Sequence, residues 1–313
     1  MAKEIDRRSF LKTAGGIALG SMILPMGASL LSAKAGDELK LIILSTNDVH
    51  SRIEPFPAND RKFAGRAGFA RRETLIKQVR AENEYVLLFD AGDIFQGTPY
   101  FNMFGGEIEF KLMSDMKYDA ATMGNHDFDN GLQGFKKQLP HAKFPFICSN
   151  YDFSNTLLNG ETLPYKIFEV GPMRIGVLAV GVELDGLVSK KNYQQTVYMD
   201  PVEIANKYAK ILKDKNCDMV VCISHLGFDY KTNKVSDKIL AAKTRNIDYI
   251  IGGHTHTFMD APFEVKNLDG KIVPITQTGW AGINLGQMEV VFTNKSTNDI
   301  AFSYTSKKVK SQG

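Results

Sequence analysis

Residues 39–50 read LKLIILSTNDVH. Leu39–Ser45 is an apolar run broken only by Lys40, the pattern of a strand buried on both faces, and after Thr46 comes Asn47-Asp48-Val49-His50, rich in polar side chains. The pattern returns in Tyr85–Asp90 (YVLLFD), Arg174–Val180 (RIGVLAV), Met219–Ser224 (MVVCIS) and Asp248–Ile251 (DYII). Amphipathic stretches lie between these runs. Phe69, Arg72, Leu75, Ile76 and Val79 fall near helical spacing, and Ile108, Leu112, Met113 and Met116 form a second stripe. Asp200-Pro201-Val202-Glu203 starts a third helix: Asp200 can cap the free amides, Pro201 suits the first turn and Glu203 favours the positive helix end. Its apolar face is Val202, Ala205, Tyr208, Ala209 and Leu212. From Ile272 to Tyr304 the chain reads as strands without helices. The alternation predicts an α/β protein, and no repeat or low-complexity linker divides it.

The composition agrees. The chain has 313 residues, 43% hydrophobic and 23% charged, a globular mix that excludes a disordered, collagen-like or polytopic membrane protein. The net charge of +3 resides in residues 1–35, where Lys3, Arg7, Arg8, Lys12 and Lys34 face only Glu4 and Asp6. The remainder balances to zero, which argues against a nucleic-acid polymer as partner. Cys148, Cys217 and Cys222 are too few for a disulfide scaffold and too scattered for a zinc ribbon, and read as small core hydrophobes.

Residues 1–35 read as an address. Asp6-Arg7-Arg8-Ser9-Phe10-Leu11-Lys12 precedes an uncharged run from Thr13 to Ala33, and Ala33-Lys34-Ala35 has the small-x-small form of a cleavage site. The paired arginines followed by Phe-Leu-Lys resemble a twin-arginine signal, which implies export to the periplasm. A membrane anchor is the alternative if the segment stays uncleaved. The expected organisation is a signal at 1–35, a catalytic domain at 36–306 and a frayed tail at 307–313.

Polar residues gather where the strands end. The chain has six histidines, and five lie at or just beyond a strand: His50, His126 after AATMGN, His225 after VVCIS, and His254 and His256 after YIIGG. His141 reads as an ordinary surface residue. Asp48, two residues before His50, and Asp93, after YVLLFDAG, join them. Ligands of α/β sheets bind beyond the carboxyl ends of the strands. The set Asp48, His50, Asp93, Asn125, His225, His254 and His256 offers oxygen and imidazole donors and no thiolate, which suits divalent zinc, manganese or iron. Seven donors exceed the needs of one tetrahedral ion. They suit two ions sharing a carboxylate, an arrangement fitted to phosphate ester cleavage by in-line attack of a shared hydroxide.

Asp48-Val49-His50, Gly92-Asp93, Gly124-Asn125-His126-Asp127, His225 and Gly253-His254-Thr255-His256, in this order, resemble the calcineurin-like metallophosphoesterase superfamily. The flanking Ser45–Ser51, Gly65–Arg72, Ala91–Thr98, Gly124–Gly131 and Gln277–Gly286 are similar to the catalytic domain of bacterial 5′-nucleotidases. The resemblance covers about residues 39–304. It implies a four-layer α/β/β/α sandwich of two mixed sheets flanked by helices. It also implies roles. Asp48, His50 and His256 would hold one metal, Asn125, His225 and His254 the second, and Asp93 would bridge them. His126 would assist the leaving group, oriented by Asp129 one turn on, and Asn125 and His126 would contact substrate.

The implied activity is hydrolysis of phosphate esters, above all nucleoside 5′-monophosphates. Cleavage of 2′,3′-cyclic nucleotides, pyrophosphate links or UDP-sugars, or the reaction of a sulfate thiohydrolase of sulfur oxidation that resembles this family, are alternatives within the class; a non-catalytic metal-binding docking subunit is one outside it. The family's enzymes usually carry a C-terminal domain that stacks the nucleobase and supplies phosphate-binding arginines, and the resemblance ends before it. The expectation is either low base selectivity or a separate polypeptide supplying that nucleotide-binding half. Leu184, Leu187, Tyr193 and Tyr198 fall in a segment expected to pack locally, with docking as the alternative.

Overall fold

The computed structural model describes residues 39–294 and 299–311. The signal read at residues 1–35 lies outside them. The order is β1 (Leu39–Thr46), α1 (Phe69–Glu82), β2 (Val86–Asp90), α2 (Pro99–Phe104), α3 (Glu107–Asp115), β3 (Ala120–Ala121) and α4 (Gly131–Gln138). Then come β4 (Tyr151–Asp152), β5 (Tyr165–Val170), β6 (Met173–Gly181), α5 (Lys190–Tyr193), β7 (Val197–Tyr198), α6 (Pro201–Asp214), β8 (Met219–His225), α7 (Asp237–Lys243) and β9 (Tyr249–Ile251). β10 (Phe263–Lys266), β11 (Ile272–Thr276), β12 (Asn284–Asn294) and β13 (Asp299–Lys308) follow.

The strands form two mixed sheets. One runs β13-β12-β1-β2-β3, the other β10-β11-β9-β8-β6-β5, and β4 pairs with β7. β1, β2 and β3 are mutually parallel, as are β6, β8, β9 and β11; the antiparallel strands β12, β13, β5 and β10 lie outside these parallel sets.

The continuous apolar runs are explained by what each face meets. In β1, Leu41 and Ile43 enter an apolar cluster shared by both sheets, with Phe89, Val177, Ile223 and Met288. Ile42 and Leu44 face the other way, against Ile76 and Val79 of α1, Phe110 and Met113 of α3, and Phe135 of α4. β8 does the same: Val221 and Ile223 join the shared cluster, while Val220 and Cys222 pack on Ala205, Ala209 and Leu212 of α6 and Leu240 of α7. Helices thus flank the sheets, and the buried polar residues Ser45, Thr46, Asp90, Ser224 and His225 fall at the carboxyl ends of β1, β2 and β8. Asp200 caps α6 as its sequence indicates, accepting from the N–H groups of Val202 (2.8 Å) and Glu203 (3.0 Å).

Three local readings shift. In α3 the buried face centres on Phe110 and Met113 rather than on Ile108 and Leu112, which are half-buried. The short α2, α4, α7, β5 and β10 went unread because too few residues in each carry a period. Residues 307–310 are not frayed. Lys307 and Lys308 pair with Leu285 and Asn284, and Val309 is fully buried. Its N–H donates to Ile283 O (2.9 Å) and its carbonyl accepts from Ala67 N (2.8 Å). Three lysines in the segment hid the one apolar anchor that ties it down. Leu184 and Tyr193 are core residues, Tyr198 is half-buried and Leu187 is exposed, so local packing accounts for most of that group.

Deleting residues 309–313 is expected to lower the melting temperature by at least about 3 °C. Burying a valine is worth roughly 1.5–3 kcal/mol, and about 1 kcal/mol moves Tm by roughly 2–4 °C at this size. An unchanged thermal melt would mean that the tail contributes nothing.

Candidate metal centre

The loops that leave β1 and β2 are zipped together by backbone hydrogen bonds. Ala91 N donates to Thr46 O (2.9 Å), Asp48 N to Gly92 O (2.9 Å) and His50 N to Asp93 O (3.0 Å). The loop after β9 joins them, because His254 N donates to the Asp48 carboxylate (2.9 Å to Oδ2). The turns are tight. Asp48, His50, Asp93, His254 and His256 all have left-handed backbone, with φ between 49° and 72°. Non-glycine residues in this region cost on the order of 1–3 kcal/mol each and concentrate at functional sites. Gly124 packs so closely that a Cβ there would overlap Asp93 Oδ1 and the His225 ring.

Two donor groups result: Asp48, His50 and His256, and Asp93, His225 and His254, with the ligand atoms of each group within 4.8 Å of one another. In the first, Nε2 of His50 and of His256 are 3.1 Å apart, and His256 Nε2 lies 3.3 Å from Asp48 Oδ1. In the second, His225 Nε2 lies 3.2 Å from Asp93 Oδ2. Asp93 Oδ2 is also 3.9 Å from His50 Nε2, so this one oxygen stands near a nitrogen of each group.

The hydrogen bonds fix which imidazole nitrogens are available. His225 Nδ1 donates to Ala91 O (2.6 Å) and His50 Nδ1 to Phe95 O (3.2 Å). In the neutral rings, Nε2 is then a lone pair aimed at carboxylates and other lone pairs. His225 Nε2 and Asn125 Oδ1 are both buried without a hydrogen-bond partner. An unsatisfied buried polar atom costs roughly 1–3 kcal/mol. A cation placed among these acceptors removes that cost, and the oxygen and imidazole donors match a divalent ion of the zinc or manganese type. The residues therefore fit the metals that the sequence implies.

The electrostatics point the same way. Burial pushes the His225 ring towards neutrality, but the adjacent Asp93 carboxylate overrides it and raises its pKa to about 10. Burial alone would raise Asp93; the imidazoles of His225, His50 and His126 hold it well below the usual carboxylate range. His254 is lowered to about 4, by burial and then by the neighbouring His225 charge. The pocket attracts positive charge at Asp93 and keeps His254 a free base.

His126 sits at the rim. Its backbone N–H donates to Asp93 Oδ1 (2.7 Å), and its Nδ1 lies 2.9 Å from Asp129 Oδ2. His126–Phe128 is a 3₁₀ turn, which brings residues three apart together. The Asp129 hydrogen bond, opposed by burial, raises His126 above the ordinary imidazole value. A cavity of about 370 Å³ opens here, lined by His50, Arg52, Gln96, Gly97, His126, His256 and Trp280.

Several supporting residues escaped the sequence reading. Asp127 is fully buried and accepts four backbone N–H groups, those of Asp93 (2.9 Å), Gly124 (2.8 Å), Ile94 (3.0 Å) and Phe95 (3.1 Å). Burial and the nearby Asp93 raise its pKa to about 8. Asn47 donates to Asp48 Oδ2 (2.6 Å) and to Gly279 O (2.7 Å). Gln277 donates to Gly253 O (2.7 Å) and accepts from Thr257 N (3.0 Å), bracing the His254–His256 turn. Asp127 lies within a quoted motif, so its position was visible but its four partners were not; Gly279, 232 residues from Asn47, and Gly253, 24 from Gln277, leave no local pattern.

Residues 41–258 match the family model for calcineurin-like phosphoesterases, a span that holds all seven donors. The chain belongs to the calcineurin-like phosphoesterases. This phosphoesterase is 35% identical over 285 residues to a snake venom 5′-nucleotidase of Crotalus adamanteus, covering 85% of this chain and 47% of the relative. It is 32% identical over 299 residues to human 5′-nucleotidase, covering 89% and 50%. The crystal structure of a 5′-nucleotidase precursor from Thermus thermophilus superposes with a TM-score of 0.79 at 30% identity, over 87% of this chain and 55% of that one. The chain spans about half the length of the curated relatives it matches. It is a phosphate ester hydrolase of a family that uses divalent metals, and it carries two candidate metal-binding groups. No helix among the described residues is long and apolar enough to cross a membrane.

Asp127→Ala is expected to reduce bound metal, because four N–H groups that shape the Asp93 turn lose their acceptor. Elemental analysis against wild type, with circular dichroism as the control for folding, checks this; full metal content in a folded variant would refute it.

Proposed function

We propose that this phosphoesterase hydrolyses nucleoside 5′-monophosphates. The observation that carries the reading is the convergence of two donor groups on Asp93, with buried acceptor atoms unsatisfied, beside the His126–Asp129 dyad. Asp48, His50 and His256 would hold one divalent ion, and Asn125, His225 and His254 the other, with Asp93 between them. Such a pair supplies Lewis acidity to the phosphoryl group and lowers the pKa of water. The chain's own residues do the rest. The Ala91 and Phe95 carbonyls keep His225 and His50 in the tautomer that presents Nε2. Asn125 and His126 face the substrate. Asp129 holds the Nδ1 proton of His126, which leaves Nε2 to deliver a proton to the departing ribose oxygen. The 5′-nucleotidases at 30–35% identity support the choice of substrate.

We also infer that Arg7 and Arg8 direct export by the twin-arginine route. A double Arg7→Lys, Arg8→Lys variant should accumulate unprocessed inside the cell, as followed by fractionation; normal export of that variant would remove this assignment.

The decisive assay measures phosphate release from AMP and other nucleotides after chelation and after Mn²⁺ or Zn²⁺ add-back. Activity should vanish with the metal and return with it. His126→Gln should keep its metal and lose turnover by on the order of 10²–10⁴. A wild-type protein that holds metal and hydrolyses no nucleotide would end the proposal.

A further inference from the structure

Arg52 is the one charged side chain other than histidine that lines the cavity beside the candidate centre. Among the described residues its guanidinium makes no ion pair within 4.0 Å, and its Nε is buried with no hydrogen-bond partner. Asp60 acts on it only through space, and Asp60 Oδ1 accepts from the N–H groups of Lys62 (2.9 Å) and Phe63 (2.6 Å). Arg52 is nonetheless held in place. Its backbone N–H donates to Val49 O (3.1 Å), and its guanidinium lies 4.3 Å over the Phe56 ring. Phe56 abuts Trp280 edge-on at 5.8 Å, and Trp280 stacks on His256 at 5.8 Å with an interplanar angle of 10°. An aromatic wall thus fixes a cation whose N–H donors are unspent, two residues along the chain from His50. A partly desolvated guanidinium without a partner is costly unless an anion meets it, and its planar fork matches phosphate oxygens.

We propose that Arg52 is a specificity-determining residue that binds an anionic oxygen of the substrate phosphate and selects monoesters over diesters. The inference rests on the phosphoesterase reading above and deepens it. A monoester is largely a dianion near neutral pH, since its second pKa is about 6, whereas a diester keeps a single negative charge. Two carboxylates, Asp48 and Asp93, stand in the centre itself, so a dianion gains more than a monoanion from a separate cation at the rim. No carboxylate lines the cavity to compete for Arg52.

The test uses the metal-loaded full chain and two variants, Arg52→Gln and Arg52→Lys. Calorimetric titration with inorganic phosphate reads the anion directly, and kcat/KM for p-nitrophenyl phosphate and for its bis ester reads selectivity. Arg52→Gln should weaken phosphate binding by about 10- to 100-fold, the range of a charge-assisted hydrogen bond, and lower the monoester-to-diester ratio comparably. Arg52→Lys, which keeps the charge and loses the fork, should recover part of both. Unchanged phosphate affinity, an equal loss on the two esters, or loss of metal in Arg52→Gln would each overturn the proposal. If the wild type binds phosphate but cleaves neither these esters nor AMP, the function proposed above fails instead, and the calorimetry still decides the role of Arg52.

Discussion

The centre depends on holding electron-rich atoms closer together than they would choose. Carboxylates of Asp48 and Asp93 and lone pairs of His50 and His256 crowd within a few ångströms, in a pocket whose floor is closed to water. Their mutual repulsion is contained by the backbone. The strand-end loops hydrogen-bond to each other, five donors sit in left-handed turns, and Asp127, Asn47 and Gln277 fasten those turns from beneath. Parallel strands serve this purpose because they bring several chain exits to one edge of a rigid sheet.

Solvent access changes across the site. His225 and Asp48 are fully buried, whereas more than a third of the His126 and His256 side chains is open. The dry side holds charge strongly and reorganises little, and the wet side is open to solvent. The backbone link from His126 to Asp93 joins the two sides, so the rim imidazole cannot drift from the floor.

Much of this was legible from the chain alone, for physical reasons. Strands buried on both faces write long apolar runs, and the Asp and His residues that end them stand out against that background. Gly124-Asn125-His126-Asp127 and the His126–Asp129 pairing were readable through their resemblance to a known family's motif, and the structure adds that a Cβ at Gly124 would overlap Asp93 Oδ1. What stayed hidden was long-range or compensated. Val309 was masked by its lysine neighbours. The bond from Asn47 to Gly279 and the Asp127 cradle are contacts between distant or backbone atoms, which no periodicity records. Arg72, placed in an apolar stripe, is indeed fully buried, with its guanidinium 4.0 Å over the Phe69 ring.

The chain contains a single tryptophan, and it lies flat against His256. Its ultraviolet emission therefore comes from one known place, on the open edge of the centre. Any event that alters the electronic state of that imidazole, or the polarity of the space next to it, is written into the native spectrum without a label, and the protein carries its own optical gauge at the cavity wall.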